Sequence, residues 1–518
     1  MPSVARKAAA PPLVLALDLG TSSLRALAFD HHARAVAGSE EQLRHALRTT
    51  ADGGAETDPD ALVELLRRCV DGVLDRLGDR AAEIAAVGVA CFWHSLVGVD
   101  ATGDAVTPLL MWGDTRSATM AASLRAELDA EAVHQQTGCL LHSSFWPAKL
   151  RWMAETDGAT FGRAVSWWSF PEYVAHRWHR AVRTTVSMAS GTGLLDTRRA
   201  VWADDLLPAF GLRPDQLPPL CERDEPWTGL APDLAGRWPS LAGVPWYPAV
   251  GDGAAANVGS GAVTPARIAL TLGTSGAMRA IQPLPTDGVG IQLPPAVWAY
   301  RLDRKRIVVG GALSNGGNLM GWLRGLLGAD EGDATASAAE RLPPDVHGLT
   351  ILPAVAGERS PSWNDHATGV IAGLTLATRA EDLLRAGMEA VAYRFALLYE
   401  ALRPLLPEDH EIAANGGAIL HSPAWLQIVA DTLNHRIAAL PAEDEATARG
   451  AAILALNALG VWPDLAPAER PDHVDVARVY EPDPGNRARY QAGLARQRRL
   501  EAALSQAVGV EDAAPTRA

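Results

Sequence analysis

Cysteine is scarce: the 518 residues hold only Cys69, Cys91, Cys139 and Cys221, far apart and with no CxxC or Cys/His pairing. That excludes a disulfide framework and a cysteine-built metal centre, and predicts reduced, mostly buried thiols. Surplus positive charge is missing too. With 46 Lys and Arg against 60 Asp and Glu, a net charge of −14, the chain lacks the basic footprint that nucleic acid or an anionic membrane would require. Any phosphate site must therefore be assembled locally. No window approaches the roughly 18 apolar residues of a membrane span, and Leu13–Leu17, behind the opening MPSVARKAAAPP, is too short for a signal-peptide core. Low-complexity blocks and short-period repeats are absent. What is present, 48% hydrophobic and 20% charged residues, describes an ordinary soluble protein with a sizeable core and more than one domain; with no signal core or span in view, a cytoplasmic enzyme is expected.

The repetition that does exist is on the scale of half the chain. Val250 to Gly276 reads VGDGAAANVGSGAVTPARIALTLGTSG: an acid between two glycines, small residues fit to open a helix, then the apolar strand Ile268–Leu272 running into Gly273-Thr274-Ser275-Gly276. Such a turn sets backbone N–H groups and hydroxyls around a phosphate, because its residues tolerate unusual angles and add no bulk. A second copy stands near the N-terminus, where Leu13–Leu17 and Asp18 lead into Gly20-Thr21-Ser22-Ser23. Two such turns predict two related lobes facing one polyphosphate.

In the first half, Leu13–Leu17 and Leu24–Phe29 predict a hairpin. Asp18 at its mouth has two readings: a carboxylate that holds Mg²⁺ through water, or a turn acid that bonds backbone N–H groups. Asp58–Leu77 has helical spacing behind a Thr-Asp-Pro start signal. Ile84–Ala90 reads as a buried strand delivering Trp93 and His94 at its C-terminal end, where α/β sheets gather ligands; the alternative is a packed Trp with a satisfied imidazole. Trp112, Asp114 and Arg116 suit a polyhydroxylated substrate, whose C–H faces pack on an indole while its hydroxyls need paired donors and acceptors. Arg116 serves equally well as the partner of Asp114 at a helix start. Most of the sixteen tryptophans belong in the core, and a few exposed beside a cleft would face the sugar.

The second half repeats the strand-then-glycine device. Val308 to Asn318, with Trp298 and Tyr300 before it, runs into Gly316-Gly317, and Ile412–Ala414 runs into Asn415-Gly416-Gly417. These glycines would let a flat base lie on the backbone or let a helix pack closely on a strand. Leu349–Pro353 reads as a strand, and Leu383–Leu405, Ser422–Leu433 and Glu445–Leu459 as helices, the last rich enough in small residues for tight packing between lobes. Pro463–Pro484 reads as a connection, residues 485–505 as an Arg-rich helix with a solvated face, and the tail beyond Val510 as disordered.

Taken together, Asp18–Ala26 (DLGTSSLRA), Trp112–Ser117 (WGDTRS), Lys149–Met153 (KLRWM), Gly251–Gly261, Leu272–Gly276 (LGTSG), Gly357–Pro361 (GERSP), Gly369–Leu374, Arg385–Ala390 and Asn415–Asp431 resemble the FGGY family of carbohydrate kinases over about residues 12 to 480. The resemblance implies an α/β fold of two actin-like, ribonuclease-H-like domains with ATP and Mg²⁺ in a cleft: a disordered N-terminus over 1–11, a sugar-side domain over 12–262, a nucleotide-side domain over 263–470, and a C-terminal helix and tail over 471–518. It implies that Asp18 helps hold the metal, that Thr21, Ser22, Ser23, Gly273, Thr274 and Ser275 grip phosphates, that Gly317, Gly416 and Gly417 flank the nucleoside, and that Asp252 is the catalytic base beside the sugar, which Trp93, His94, Trp112, Asp114 and Arg116 contact. A homodimer is the expected assembly. Glycerol-acting members carry Arg-Glu where Trp93-His94 stand, which argues against glycerol; xylulose kinases have Met-His there. Thr137–Met153 looks closer to gluconate kinases. The sequence departs from the family at Trp146, where a small residue or proline is usual, within Arg183–Ser190, where an Asp is usual, and at His421. A gluconate-like substrate leads, with xylulose or a polyol or cyclitol as alternatives and a non-catalytic actin-like ATP-binding protein as the alternative of another class.

Overall fold

The computed structural model describes residues 3–285, 291–329, 334–441, 445–465 and 476–508. By internal contacts the chain divides into two units, the first over residues 1–268, 279–310 and 443–475 and the second over 269–278, 311–442 and 476–518, both taken at the described positions.

The first unit is built on a sheet whose strands are β1 (Ser3–Val4), β2 (Leu13–Leu19), β3 (Ser23–Phe29), β4 (Ala35–Val36), β5 (Glu41–Arg44), β6 (Ile84–Cys91) and β7 (Val250–Gly251). Their order is β1-β4-β3-β2-β6-β7, with β5 beside β3. Five of the seven β2 residues are fully or almost fully enclosed apolar side chains before Asp18 is reached, as a central strand covered on both faces requires. β2 and β3 form the expected antiparallel hairpin, and β6 and β7 continue parallel from β2. The helix Pro59–Leu77 begins where Asp58 accepts the N–H groups of Asp60 and Ala61 at 2.9 and 3.3 Å, and stops at Gly78 with φ +58°. All four cysteines are free and buried.

Strands β8 (Arg267–Leu272), β9 (Gly276–Pro283), β10 (Trp298–Arg301), β11 (Arg306–Leu313), β12 (Glu411–Asn415), β13 (Ile437–Ala439) and β14 (Arg478–Tyr480) follow in the order β10-β11-β9-β8-β12-β13-β14. The run β9-β8-β12-β13 repeats the run β3-β2-β6-β7: a hairpin closed by a Gly-Thr-Ser turn, then two further strands on the side of its first strand, the last pair parallel in each case. The half-chain repetition is thus one of topology as well as sequence.

Four expectations need revising. The N-terminus is ordered from Ser3, because Ala35–Val36 presents an open sheet edge that Ser3–Val4 fills in parallel register, with Val4 and Ala9 buried behind it. The segment expected to be a mere connection contributes β14, which pairs antiparallel with β13; its residues 466–475 lie outside the described ones. The Arg-rich helix, here Arg487–Val508, is docked rather than merely solvated. Tyr490 and Gln497 are buried, Arg496 pairs with Asp345 at 2.8 Å, and Glu501 pairs with the buried Arg394 at 2.7 Å. The tail beyond Val510 lies outside the described residues. The small-residue helix, Ala446–Ala458, packs within the first unit on the helix Asp252–Gly259. There a Cβ on Gly450 would run into the Ala255 backbone, and one on Gly259 into the Ala446 carbonyl.

Candidate active site

Parallel register brings the C-terminal ends of β2, β6 and β7 to one level, since Leu19 pairs with Cys91 and Cys91 with Gly251. Asp18, the Phe92–Ser95 segment and Asp252 therefore share one edge of the first unit. Asp18 is half-buried and its carboxyl is pushed up to about 6, chiefly by desolvation; Arg25 pulls it down and Asp252 pushes it up further. Two acids thus lie within electrostatic reach of each other. Asp252 is half-buried and opens its helix, with its Oδ1 accepting the Gly253 N–H at 2.7 Å, and the helix N-terminus favours its ionised form.

Trp93 lies across the glycines on either side of Asp252. A Cβ on Gly251 would strike the indole and one on Gly253 would stand 2.8 Å from it, while Nε1 donates to the Ser187 carbonyl at 3.0 Å. Trp93 therefore packs beneath the acid. Arg279, which the sequence did not single out, completes the support: it is buried, donates from Nε to Asn257 Oδ1 at 3.0 Å, and is pushed down to about 10 by burial while the Asp252 charge acts the other way.

His94 adopts φ +71°, rare for a residue with a side chain. Its Nδ1 meets the Gly191 carbonyl, and its ring stands 4.9 Å from Phe145 and 5.5 Å from Tyr300. Trp298 and Tyr300, on the same face of β10, stack at 4.1 Å, and Tyr300 lies 4.8 Å from Trp93. An aromatic wall is thereby assembled from positions some two hundred residues apart.

The loop after Met111 is held from two sides. Trp112 donates from Nε1 to Thr21 Oγ1 at 3.0 Å, so that the turn residue expected at a phosphate also supports this indole. Asp114 is buried and accepts from the Ala55 N–H at 3.1 Å and from Arg116 at 2.5 Å; Arg116 also reaches Glu56 at 2.6 Å and lies 4.6 Å from the Trp152 ring. The two carboxylates raise the Arg116 pKa. Ser22 and Ser23 belong to the same tight turn as Thr21, closed by the Gly20 N–H donating to the Ser23 carbonyl at 3.0 Å, and Ser23 Oγ accepts from Gln42 at 2.9 Å.

In the second unit, Gly273, Thr274, Gly317, Asn318, Gly417, His421 and Trp425 line a cavity of about 1010 Å³. The Gly317 and Asn318 N–H groups donate to the Gly273 and Thr274 carbonyls at 2.8 and 3.0 Å, tying the helix start at 317 to the turn. Ser275 closes that turn by accepting the Gly273 N–H at 3.0 Å. Gly416, at φ +99°, lies flat on Leu272, where a Cβ would stand 2.6 Å from the carbonyl oxygen. Among the described residues one group of metal-ligand type gathers, Asp345, His347 and Glu389, within 4.8 Å. Glu389 already accepts from Arg385 at 2.7 Å and faces His347 at 3.1 Å, and Asp345 pairs with Arg496. These charges are neutralised among themselves and anchor the C-terminal helix.

Residues 13–259 match the model of the FGGY family of carbohydrate kinases, N-terminal domain, and residues 268–459 match that of its C-terminal domain. The chain belongs to the FGGY family of carbohydrate kinases. Among relatives, this FGGY kinase is 28% identical to a gluconokinase of Bacillus subtilis over 86% of its own length and 88% of the relative's. It is 30% identical to a glycerol kinase of Methylobacterium nodulans over 91% and 94%. Among solved structures, a ligand-bound xylulose kinase from Lactobacillus acidophilus superposes with a TM-score of 0.88 at 25% identity, covering 96% of this chain and 99% of that one. The FGGY kinase thus has the two-domain actin-like, ribonuclease-H-like fold and is a phosphotransferase with an alcohol group as acceptor, which sets aside the non-catalytic scaffold.

Its departures from the family pattern have local explanations. Trp146 is buried and donates from Nε1 to the Ser95 carbonyl at 2.9 Å. In Arg183–Ser190, Thr185 caps the short helix Val186–Ser190 by accepting the Met188 N–H at 3.0 Å, the task an aspartate performs at such a position. His421 is exposed at the cavity, with Nδ1 2.6 Å from the Gly417 carbonyl.

Proposed function

We propose that this kinase moves the terminal phosphoryl group of ATP to a hydroxyl of a sugar or sugar acid, a gluconate-like substrate being favoured, with Asp252 as the general base. The observation that carries this reading is the pair of acids at one edge of the sheet, Asp18 and Asp252, both half-buried and within electrostatic reach of each other. Asp252 accepts the proton of the attacking hydroxyl as the bond to phosphorus forms. Its place at a helix N-terminus suits a carboxylate, and Trp93 and Arg279 keep it in place. His94 and Trp112 orient the sugar. Gly273, Thr274, Ser275, Gly317, Gly416 and Gly417, with Thr21, Ser22 and Ser23, take the nucleotide through backbone N–H groups and hydroxyls. Asp18, destabilised as an anion by desolvation and by its acidic neighbour, fits Mg²⁺, which would supply charge neutralisation on the phosphate oxygens.

Gluconate is supported by the Bacillus gluconokinase and by the Thr137–Met153 segment. A neutral ketose such as xylulose, or a polyol, is the second reading. It is favoured by Arg116, whose charge is balanced by Asp114 and Glu56 rather than offered to a substrate carboxylate. An ADP-release assay across gluconate, xylulose, ribulose, glycerol, erythritol and inositol tests both: gluconate should give the highest kcat/KM, xylulose in first place would establish the second reading, and no release with any of them would overturn the proposal.

A further inference from the structure

Lysine occurs three times in this chain, at Lys7, Lys149 and Lys305, among 46 lysines and arginines. Lys7 and Lys305 are exposed, whereas Lys149 is completely enclosed. It sits in the first turn of the helix Trp146–Thr156, and its Nζ donates to the Met111 carbonyl at 2.7 Å, the Ser144 carbonyl at 2.9 Å and the His94 carbonyl at 3.2 Å. An ammonium has three donors radiating from one atom, and here each finds an acceptor; a guanidinium, whose donors lie in a flat fork, cannot serve three carbonyls that converge on a point. That geometry explains why a chain that otherwise relies on arginine keeps lysine here.

The three carbonyls belong to separate segments. His94 is the residue at φ +71°, a backbone state that persists only where its surroundings over-determine it. Met111 directly precedes Trp112. Ser144 directly precedes Phe145, whose ring stands against His94. Three residues before Lys149, Trp146 takes the adjoining Ser95 carbonyl, so one helical turn grips two successive carbonyls of the strained segment. Burying the charge is costly: it pushes the ammonium down to about 7, with Asp114 acting the other way. A position that needed only volume would hold an apolar side chain.

We propose that Lys149 is a positioning residue for the sugar: its ammonium gathers three loop carbonyls at one point and so fixes where His94, Trp112 and Phe145 stand before the substrate arrives. This rests on the reading of His94 and Trp112 as sugar contacts. The test uses the full-length enzyme, ATP, and gluconate and xylulose as probes. Lys149→Met should fold with a native circular-dichroism spectrum, raise the sugar KM about 30-fold, lower kcat less than the KM rises, and leave the KM for ATP unmoved, because misplacing a contact by an ångström is enough for losses of this order. Lys149→Arg should not rescue it. A folded Lys149→Met with wild-type sugar KM overturns the proposal, as does an equal rise in both KM values or full rescue by arginine. Should Lys149→Met fail to fold, Trp146→Phe, which removes the grip on Ser95 together with part of a buried ring, should raise the sugar KM several-fold, and an unmoved value there overturns it too. His94→Ala separates the two failures. A raised sugar KM in that variant beside an unmoved one in Lys149→Met refutes the clamp alone; unmoved values in both refute the sugar-facing reading and the clamp with it.

Discussion

In the first unit Lys149 and Arg279 are closed off from solvent and Asp18 is half-buried beside the strand ends, whereas the cavity of the second unit includes Gly273, Gly317, Gly321 and Gly417 in its lining and keeps its buried charges elsewhere, among Arg385, Glu389, Arg394 and Glu358. The same strand topology has thus been furnished in two ways. On the proposed reading, where a proton would be taken from a hydroxyl, the chain keeps titratable groups at the site and bears the desolvation. Where a phosphate tail and a base would lie on that reading, it places glycines and offers backbone at the turn and helix starts. The corollary is that charge substitutions should change chemistry in the first unit and stability in the second, while added bulk should act on nucleotide binding.

The largest test of that contrast is Asp252→Asn. The amide keeps the shape and the Gly253 contact but accepts no proton, so kcat should fall about 10³-fold with both KM values nearly unchanged. Steady-state kinetics in the ADP-release assay would show it, and a variant with wild-type turnover would place the base elsewhere. Next comes Arg394→Met in the second unit. It leaves Glu358, now raised in pKa by burial but held down by this guanidinium, without its main partner, and should lower the unfolding free energy by about 3–5 kcal/mol. In chemical denaturation the loss should appear while kcat of the remaining folded enzyme stays near wild type; a selective loss of kcat would blur the division between the units.

Two glycines of the second unit sharpen the comparison further. Gly416→Ala meets the Leu272 backbone and must keep φ near +99°, which should destabilise by about 1–3 kcal/mol and raise the KM for ATP while sparing that for sugar. Gly321→Ala, on the same cavity and inside the helix Gly317–Leu327, meets nothing within 4 Å. It should therefore stabilise by about 0.5–1 kcal/mol through helix propensity, with ATP affinity unchanged. Equal effects at the two positions would show that conformation and close approach are not what the glycines supply.

How much of this is legible without coordinates depends on how local the signal is. Strand-to-glycine turns at Asp18–Ser23 and Leu272–Gly276, and the acid at 252, announce themselves because turn chemistry and apolar runs are properties of neighbouring residues. Arg279 and the stacking of Trp298 and Tyr300 on the Trp93–His94 segment are not announced, since they depend on where a distant strand is laid down. The dual character of Thr21, which stands in a phosphate-type turn and also receives the Trp112 indole, is hidden for the same reason. β14 goes unseen because an edge strand of three residues running into Glu481-Pro482 carries little pattern, and the docking of the Arg-rich helix because its carboxylate partners, Asp345 and Glu400, lie far away in sequence.

The departures from the family pattern offer the finest test, since they ask whether a changed residue changes chemistry or only its means of support. Thr185 is enclosed and uses one hydroxyl twice, accepting the Met188 N–H at 3.0 Å and donating to the Ala249 carbonyl at 2.6 Å, three residues before Asp252. An aspartate restored here keeps the cap but turns a charged acceptor toward the Ala249 carbonyl, so Thr185→Asp should cost about 1–2 kcal/mol, within the range set by a cap and an unsatisfied buried acceptor. Thr185→Ser keeps both bonds and should lie within about 0.5 kcal/mol of wild type. If Thr185→Asp instead gained stability and moved the sugar preference, the threonine would be a specificity choice and not a substitute cap. The first unit would then hold its acid through the residue that also selects the substrate.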